Sequence, residues 1–241
     1  MVSAFPAFCV AVGEEGSDPV VLHDGVLVRV DEFAATGHLS RMGEDLGDVA
    51  GLGVTHFRHG MPWREVELSP GRYDWRLWDE AAQAWEGSGL EPIVDLLHFG
   101  LPDHLAGFAD RSMVGAFCDY VEAFLDRYDR PRLFTPVNEP GITALMSGLL
   151  GAWNDRLGSD EGYAACLANI CLANLEALAR IKEDRDAMWI GSEGFGAYLA
   201  SSPEAEVEAQ ERRAIEQLVW DLQLGVEPPA EAERVARHID E

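Results

Sequence analysis

Five short apolar runs, each followed by a polar loop and then a helical stretch, constrain this chain more than any other feature. The runs are Phe8 to Val12, Val54 to Arg58, Pro92 to Leu97, Leu133 to Val137 and Ala187 to Gly191. Between them apolar residues recur at helical spacing. Leu39, Met42, Leu46, Val49 and Ala50 do so in one stretch, and Val114, Phe117, Val121, Phe124 and Leu125 in another. The pattern predicts helices over Thr36 to Gly51, Trp75 to Gly87, Ser112 to Tyr128, Gly162 to Asp184, Pro203 to Leu224 and Pro228 to His238. Short buried strands joined by helices imply parallel pairing and right-handed crossovers.

In parallel sheets ligands gather at the C-terminal ends of the strands. Those ends here carry Glu14 or Glu15, Arg58, His98, Asn138 with Glu139, and Glu193. No glycine-rich phosphate loop comes after any run, so a nucleotide-binding doubly wound sheet is disfavoured. Polar residues converging from several strand ends are the pattern of a (β/α)8 barrel. The expectation is an α/β fold of the TIM-barrel type, incomplete, with about five recognisable β/α units in one domain over residues 1–241.

The stretch Phe134 to Pro140 is the most informative strand end. Val137 closes a buried run, and Pro140 cannot continue it because proline lacks the N–H a ladder needs. Asn138 and Glu139 are thereby left side by side at the mouth. A carboxylate held there, partly desolvated, has a raised pKa and can donate a proton near neutrality. The competing reading is that Glu139 simply starts the next helix.

Composition narrows the classes. The net charge is −25, with 43 acidic against 18 basic residues and Lys182 as the sole lysine. Nucleic-acid binding needs a basic face and is disfavoured. No run of eighteen apolar residues occurs, so no membrane span is expected. The first residues show neither the basic patch nor the long apolar core of a secretion signal, so none is expected. Cys9, Cys118, Cys166 and Cys171 show no CxxC spacing. Free thiols in a reducing, cytoplasmic setting are expected, with no zinc site. His56 and His59 flank Arg58, and no metal is assigned to them.

On these residues the chain resembles a divergent family 1 glycoside hydrolase over roughly Phe8 to Gly225. Thr135-Pro-Val-Asn-Glu-Pro140 is similar to the family's Thr-x-Asn-Glu-Pro motif. His98-Phe-Gly-Leu-Pro102 resembles its His-Trp-Asp-Leu-Pro motif, and Arg58 through Trp63 its Arg-Phe-Ser-x-x-Trp motif. The resemblance implies a β-glucosidase-like activity that needs neither metal nor organic cofactor, on a small-molecule glycoside or saccharide. It implies that Glu139 is the general acid/base, and that Asn138 and His98 bind ring hydroxyls. Arg58 would hold a nucleophile carboxylate ionised, and Trp63 and Phe99 would line the sugar platform. Glu15 is a further candidate for binding sugar.

The departures are specific. The family's nucleophile lies in an Ile/Thr-x-Glu-Asn-Gly motif after a seventh strand, and no such motif occurs here. Gly13 stands where a sugar-binding Gln is usual. A retaining mechanism needs a second carboxylate about 5–5.5 Å from the first. Three alternatives stay open: a fragment of a longer protein, a short form that pairs with another chain, or Glu193 as a second catalytic carboxylate. An incomplete sheet leaves unpaired edges, which a homo-oligomer would cover. A non-catalytic carbohydrate-binding relative that lost its nucleophile is the competing function.

Overall fold

A computed structural model describes residues 10–239. The start of the first predicted strand at Phe8, and Cys9, lie outside the described residues. Within them the first strand is β1, Ala11–Gly13. Next comes a hairpin, β2 Val20–His23 and β3 Val26–Arg29. Asp24 (φ 50°) and Gly25 (φ 78°) turn it, the pair of positive φ values a two-residue hairpin loop requires. Gly37 at φ 70° ends α1, Glu32–Thr36, and starts α2, His38–Gly51. The helix expected over Thr36 to Gly51 is α2, preceded by a short helix that the pattern does not predict. Asp31 caps α1 by accepting from the Ala34 N–H at 2.8 Å.

β4, His56–Gly60, leads into a one-turn helix α3, Trp63–Val66. A small hairpin comes next, β5 Glu67–Ser69 and β6 Arg72–Tyr73. α4, Arg76–Ser88, ends on Gly89 in the left-handed region. β7, Glu91–Leu97, α5, Ser112–Arg127, and β8, Leu133–Val137, lie where the apolar patterns put them. α6, Pro140–Ala144, continues as a π-helical turn over Leu145–Leu149. α7, Asp160–Asp184, is capped by Ser159. The fifth predicted strand is cut to β9, Met188–Trp189. α8 spans Glu206–Leu224. The last predicted helix is reduced to a 3-10 turn, Ala230–Ala232, and α9, Glu233–Ala236. Pro229 holds its residue extended (ψ 156°), which delays the helix start.

The main sheet has the order β1-β4-β7-β8-β9, every pair parallel. It is a partial barrel wall, with at least one helix after each strand. Its two edge strands are its shortest. Trp78, Trp85, Phe117, Phe124 and Phe134 are fully buried between sheet and helices. α7 is long and apolar enough to cross a membrane. Here it packs against α5 and α8 as a core helix. Cys118, Cys166 and Cys171 are buried free thiols.

Candidate active site

The junction of β8 and α6 sets the geometry. Asn138 N–H donates to Leu97 O at 2.9 Å and Glu139 N–H to Ser192 O at 3.2 Å, so the mouth residues are tied to the strand ends on both sides. Glu139 adopts φ 43°, ψ 65°, a left-handed conformation uncommon for a residue with a side chain. It stands at the N-cap of α6, yet its carboxylate does not cap. Glu193 performs that task from the loop after β9. Its Oε2 accepts from Gly141 N–H at 2.7 Å, and its Oε1 from Ile142 N–H at 3.3 Å and Gly194 N–H at 3.0 Å. The Glu139 carboxylate is thereby free of the helix. It is half-buried, and burial raises its pKa above the usual carboxylate value, against the pull of His98 and Arg58.

The wall beside Glu139 is organised by Asp95, which is 2% exposed. Its Oδ2 accepts from Arg58 Nε at 3.0 Å, Arg58 Nη2 at 2.6 Å and His98 Nδ1 at 2.8 Å. Burial pushes Asp95 up, but His98 and Arg58 outweigh it and hold the carboxyl below the usual range. Burial alone would lower His98. Asp95 overcomes that, with help from Glu15, and raises the imidazole to about 9. His98 is therefore a cation at neutral pH, with Nδ1–H on Asp95 and Nε2–H on Glu15 Oε1 at 3.0 Å. The bond to His98 is also what drops Glu15 to about 2.

Asn138 is read from its partners. Its Oδ1 accepts from Arg58 Nη2 at 2.6 Å and from Ser192 Oγ at 2.9 Å. That fixes its Nδ2 toward His98 Nε2, 3.2 Å away. A doubly protonated His98 cannot accept there, so the amide keeps donor capacity for an incoming hydroxyl.

The structure therefore brings Arg58, His98, Asn138, Glu139 and Glu15 around one mouth. It places the others differently. Trp63 is buried in an aromatic stack on Tyr120, its indole N–H donating to Glu67 Oε2 at 2.8 Å. This is a core position, not a platform. Phe99, at φ 67°, is also buried, wedged between His98 and Trp153. Glu193 does not pair with Arg58; it binds amides of α6, and burial pushes it up to about 7, with Glu139 adding to the rise. His59 faces away from the mouth. Trp85 Nε1–H donates to its Nδ1 at 3.1 Å, and its Nε2 meets His38 Nε2 at 2.8 Å. Trp85 as donor fixes the chain of tautomers: His59 donates to His38, which donates to Asp45 at 2.8 Å. Burial and the neighbouring His38 lower His59 to about 3. No cluster of metal-binding side chains occurs among the described residues.

Asp95 and Ser192 do not stand out in the sequence as site residues. Asp95 leaves a signal all the same, since a lone aspartate inside the apolar run Pro92 to Leu97 demands a buried partner.

Comparison with known proteins gives the same frame. The sequence model of "Glycosyl hydrolase family 1" matches residues 29–227. The β-glucosidase A of Thermotoga maritima is 25% identical over 193 residues, covering 76% of this chain and 43% of that protein. The aryl-phospho-β-D-glucosidase of Bacillus subtilis is 29% identical over 125 residues, covering 48% of this chain and 26% of that protein. Among solved structures, the Thermotoga maritima β-glucosidase in complex with castanospermine superposes with a TM-score of 0.82 at 20% identity, covering 98% of this chain and 61% of that one. The chain thus spans less than half the length of these curated relatives. The neighbours are β-glucosidase TIM barrels, and the parallel sheet of this chain is part of such a barrel. Because the family's model matches residues 29–227, most of the chain, this chain belongs to glycosyl hydrolase family 1.

Proposed function

We propose that the mouth binds a β-linked glycoside and that Glu139 acts on it as general acid/base. The observation that carries this reading is the Glu139 carboxylate itself. It is half-buried with a raised pKa, relieved of helix capping by Glu193, and beside a wall of fixed donors. A proton donor at a glycosidic oxygen needs those properties. Asn138 Nδ2 would donate to a ring hydroxyl. A second hydroxyl would take the place of Glu15 on His98 Nε2, because Glu15 is the exposed partner of that pair. Neither step calls on a metal or cofactor.

A second reading is favoured by one contact set. Glu193, the acidic residue expected as second carboxylate, is held by three amides of α6 and its own loop. A carboxylate so engaged supports binding without turnover.

One experiment separates the two. Aryl β-glycosides are assayed with the natural protein and with Glu139→Gln, alongside calorimetry with the parent sugars. Under the first reading Glu139→Gln lowers turnover about 10²–10⁴-fold and leaves sugar binding intact. Binding without any turnover in the natural protein establishes the second. Equal turnover in both proteins rejects the first.

A further inference from the structure

A cavity of about 550 Å³ opens between α6 with its π-helical turn, α7 and α8, and it shares none of the cation-bearing wall around Asp95. Ile142, Leu145 and Leu149 line it from one side, Tyr163 and Ile215 from the other. That volume suits a small organic ligand, and an apolar lining with few polar groups is what such ligands occupy.

The polar part of the lining is unbalanced. Glu193, Glu208, Glu211 and Glu216 face Arg212 and Arg234. Both arginines are engaged: Arg212 pairs with Glu208 at 3.0 Å, and Arg234 with Glu211 and Asp160. Glu193 and Glu216 are different. Glu216 accepts from Gly196 N–H at 3.0 Å and from the Tyr198 hydroxyl. Glu193 accepts only backbone amides. No cation among the described residues forms an ion pair with either. Both carboxylates thus take their hydrogen bonds from neutral donors, while the two arginines of the lining are paired to other carboxylates. An ion within their reach would gain more than in water, because the site is partly desolvated. The Tyr163 ring adds an aromatic face on which a cation is favoured, while the Tyr198 ring already carries Arg212, whose guanidinium carbon lies 5.9 Å from its centroid. An overall charge of −25 draws cations and repels anions.

We propose that this cavity binds a small apolar molecule carrying one ammonium-type charge, with Glu193 and Glu216 as its counter-charges. The site is separate from the glycoside mouth and its occupation does not depend on glycosidase activity. The two regions do share Glu193, which caps the helix that begins at Glu139, so an occupant reaches the carboxylate that fixes the backbone beside the mouth.

The test is calorimetric titration of the full chain with cyclohexylmethylammonium chloride, the neutral cyclohexylmethanol and the anionic cyclohexanecarboxylate. The ammonium is expected to bind at least about tenfold more tightly than the alcohol, and the carboxylate not at all. Glu216→Gln and Glu193→Gln should each weaken the ammonium severalfold without affecting the alcohol. Leu149→Trp, which fills the cavity, should abolish both. Equal affinity for ammonium and alcohol would show an apolar cavity with no use for charge and overturn the proposal. So would ammonium binding unchanged in both glutamine variants, or no heat at millimolar concentration. Should Leu149→Trp fail to fold, the two glutamine variants still decide the matter, since each changes one atom of a half-buried side chain.

Discussion

Asp95, buried inside β7, and Glu193, half-buried in the loop after β9, flank β8 from its two sides, and their carboxyls move in opposite directions. Asp95 is held below the usual range and Glu193 is pushed up to about 7. Burial raises both. The difference is what faces them. Asp95 meets two full charges, Arg58 and His98, at 2.6–3.0 Å. Glu193 meets three amide dipoles and, nearby, the like charge of Glu139. Dipoles satisfy hydrogen bonds but do not offset the loss of solvent as a counter-charge does. So the wall of the mouth is a set of fixed charges, and the carboxyl that caps α6 beside it is poised to change its charge.

The largest effect that would break this contrast is loss of Asp95. Asp95→Ala leaves the buried Arg58 and His98 without their counter-charge, and removing one partner of such a pair costs about 3–5 kcal/mol. Urea unfolding should show that loss, and the His98 imidazole, followed by NMR, should fall from about 9 toward or below its ordinary 6.5. A loss under about 1 kcal/mol, the range of exposed ion pairs, would mean that the wall is no more than a surface network.

Next in size is the pH response. The folded pKa of Glu193 lies above its ordinary 4.5, so the fold favours the neutral carboxyl. Its contribution to stability is fully present below about pH 4.5 and is lost as pH rises through about 7. His98 is also raised, from 6.5 to about 9, and its contribution persists to neutrality and is lost only as pH rises through about 9. Glu15 is lowered to about 2, so its contribution is present above 4.5 and lost as pH falls through about 2. Glu193→Gln should therefore compare better with the natural protein at pH 8 than at pH 4.5, by about 2–4 °C in Tm for each kcal/mol involved. A difference that is the same at both pH values would remove the distinction between the two sides.

How much of the fold and site is legible in the sequence depends on which force decides each feature. β8 and α5 are readable because their apolar patterns alone place them. The convergence of Arg58, His98, Asn138 and Glu139 comes from their positions at successive strand ends. The role of Glu193 does not. A carboxylate at a strand end reads the same whether it serves a ligand or a helix N-terminus, and only the positions of the Gly141 and Ile142 amides decide. Trp63 departs from its expected place for a related reason. Its indole partner, Glu67, is one turn further along the chain, but its stacking partner Tyr120 is far away on α5. β9 is short because Gly191 and the residues after it join no ladder, which composition does not reveal.

The smallest effect tests the division of labour between Glu139 and Glu193 at the backbone. Glu139 sits at φ 43°, a conformation that costs an L-residue about 1–2 kcal/mol relative to glycine. Its own side chain makes no capping bond to offset this, because Glu193 supplies the cap. Glu139→Ala and Glu139→Gly both remove the carboxylate, so comparing them isolates the backbone. Glycine loses more freedom on folding, worth about 0.4–1 kcal/mol, which subtracts from its advantage. The glycine variant should nevertheless be the more stable of the two, by up to about 1 kcal/mol in urea unfolding. If alanine proves the more stable, the left-handed conformation is not strained at this site. The cap from Glu193 would then not be what holds Glu139 open to the mouth.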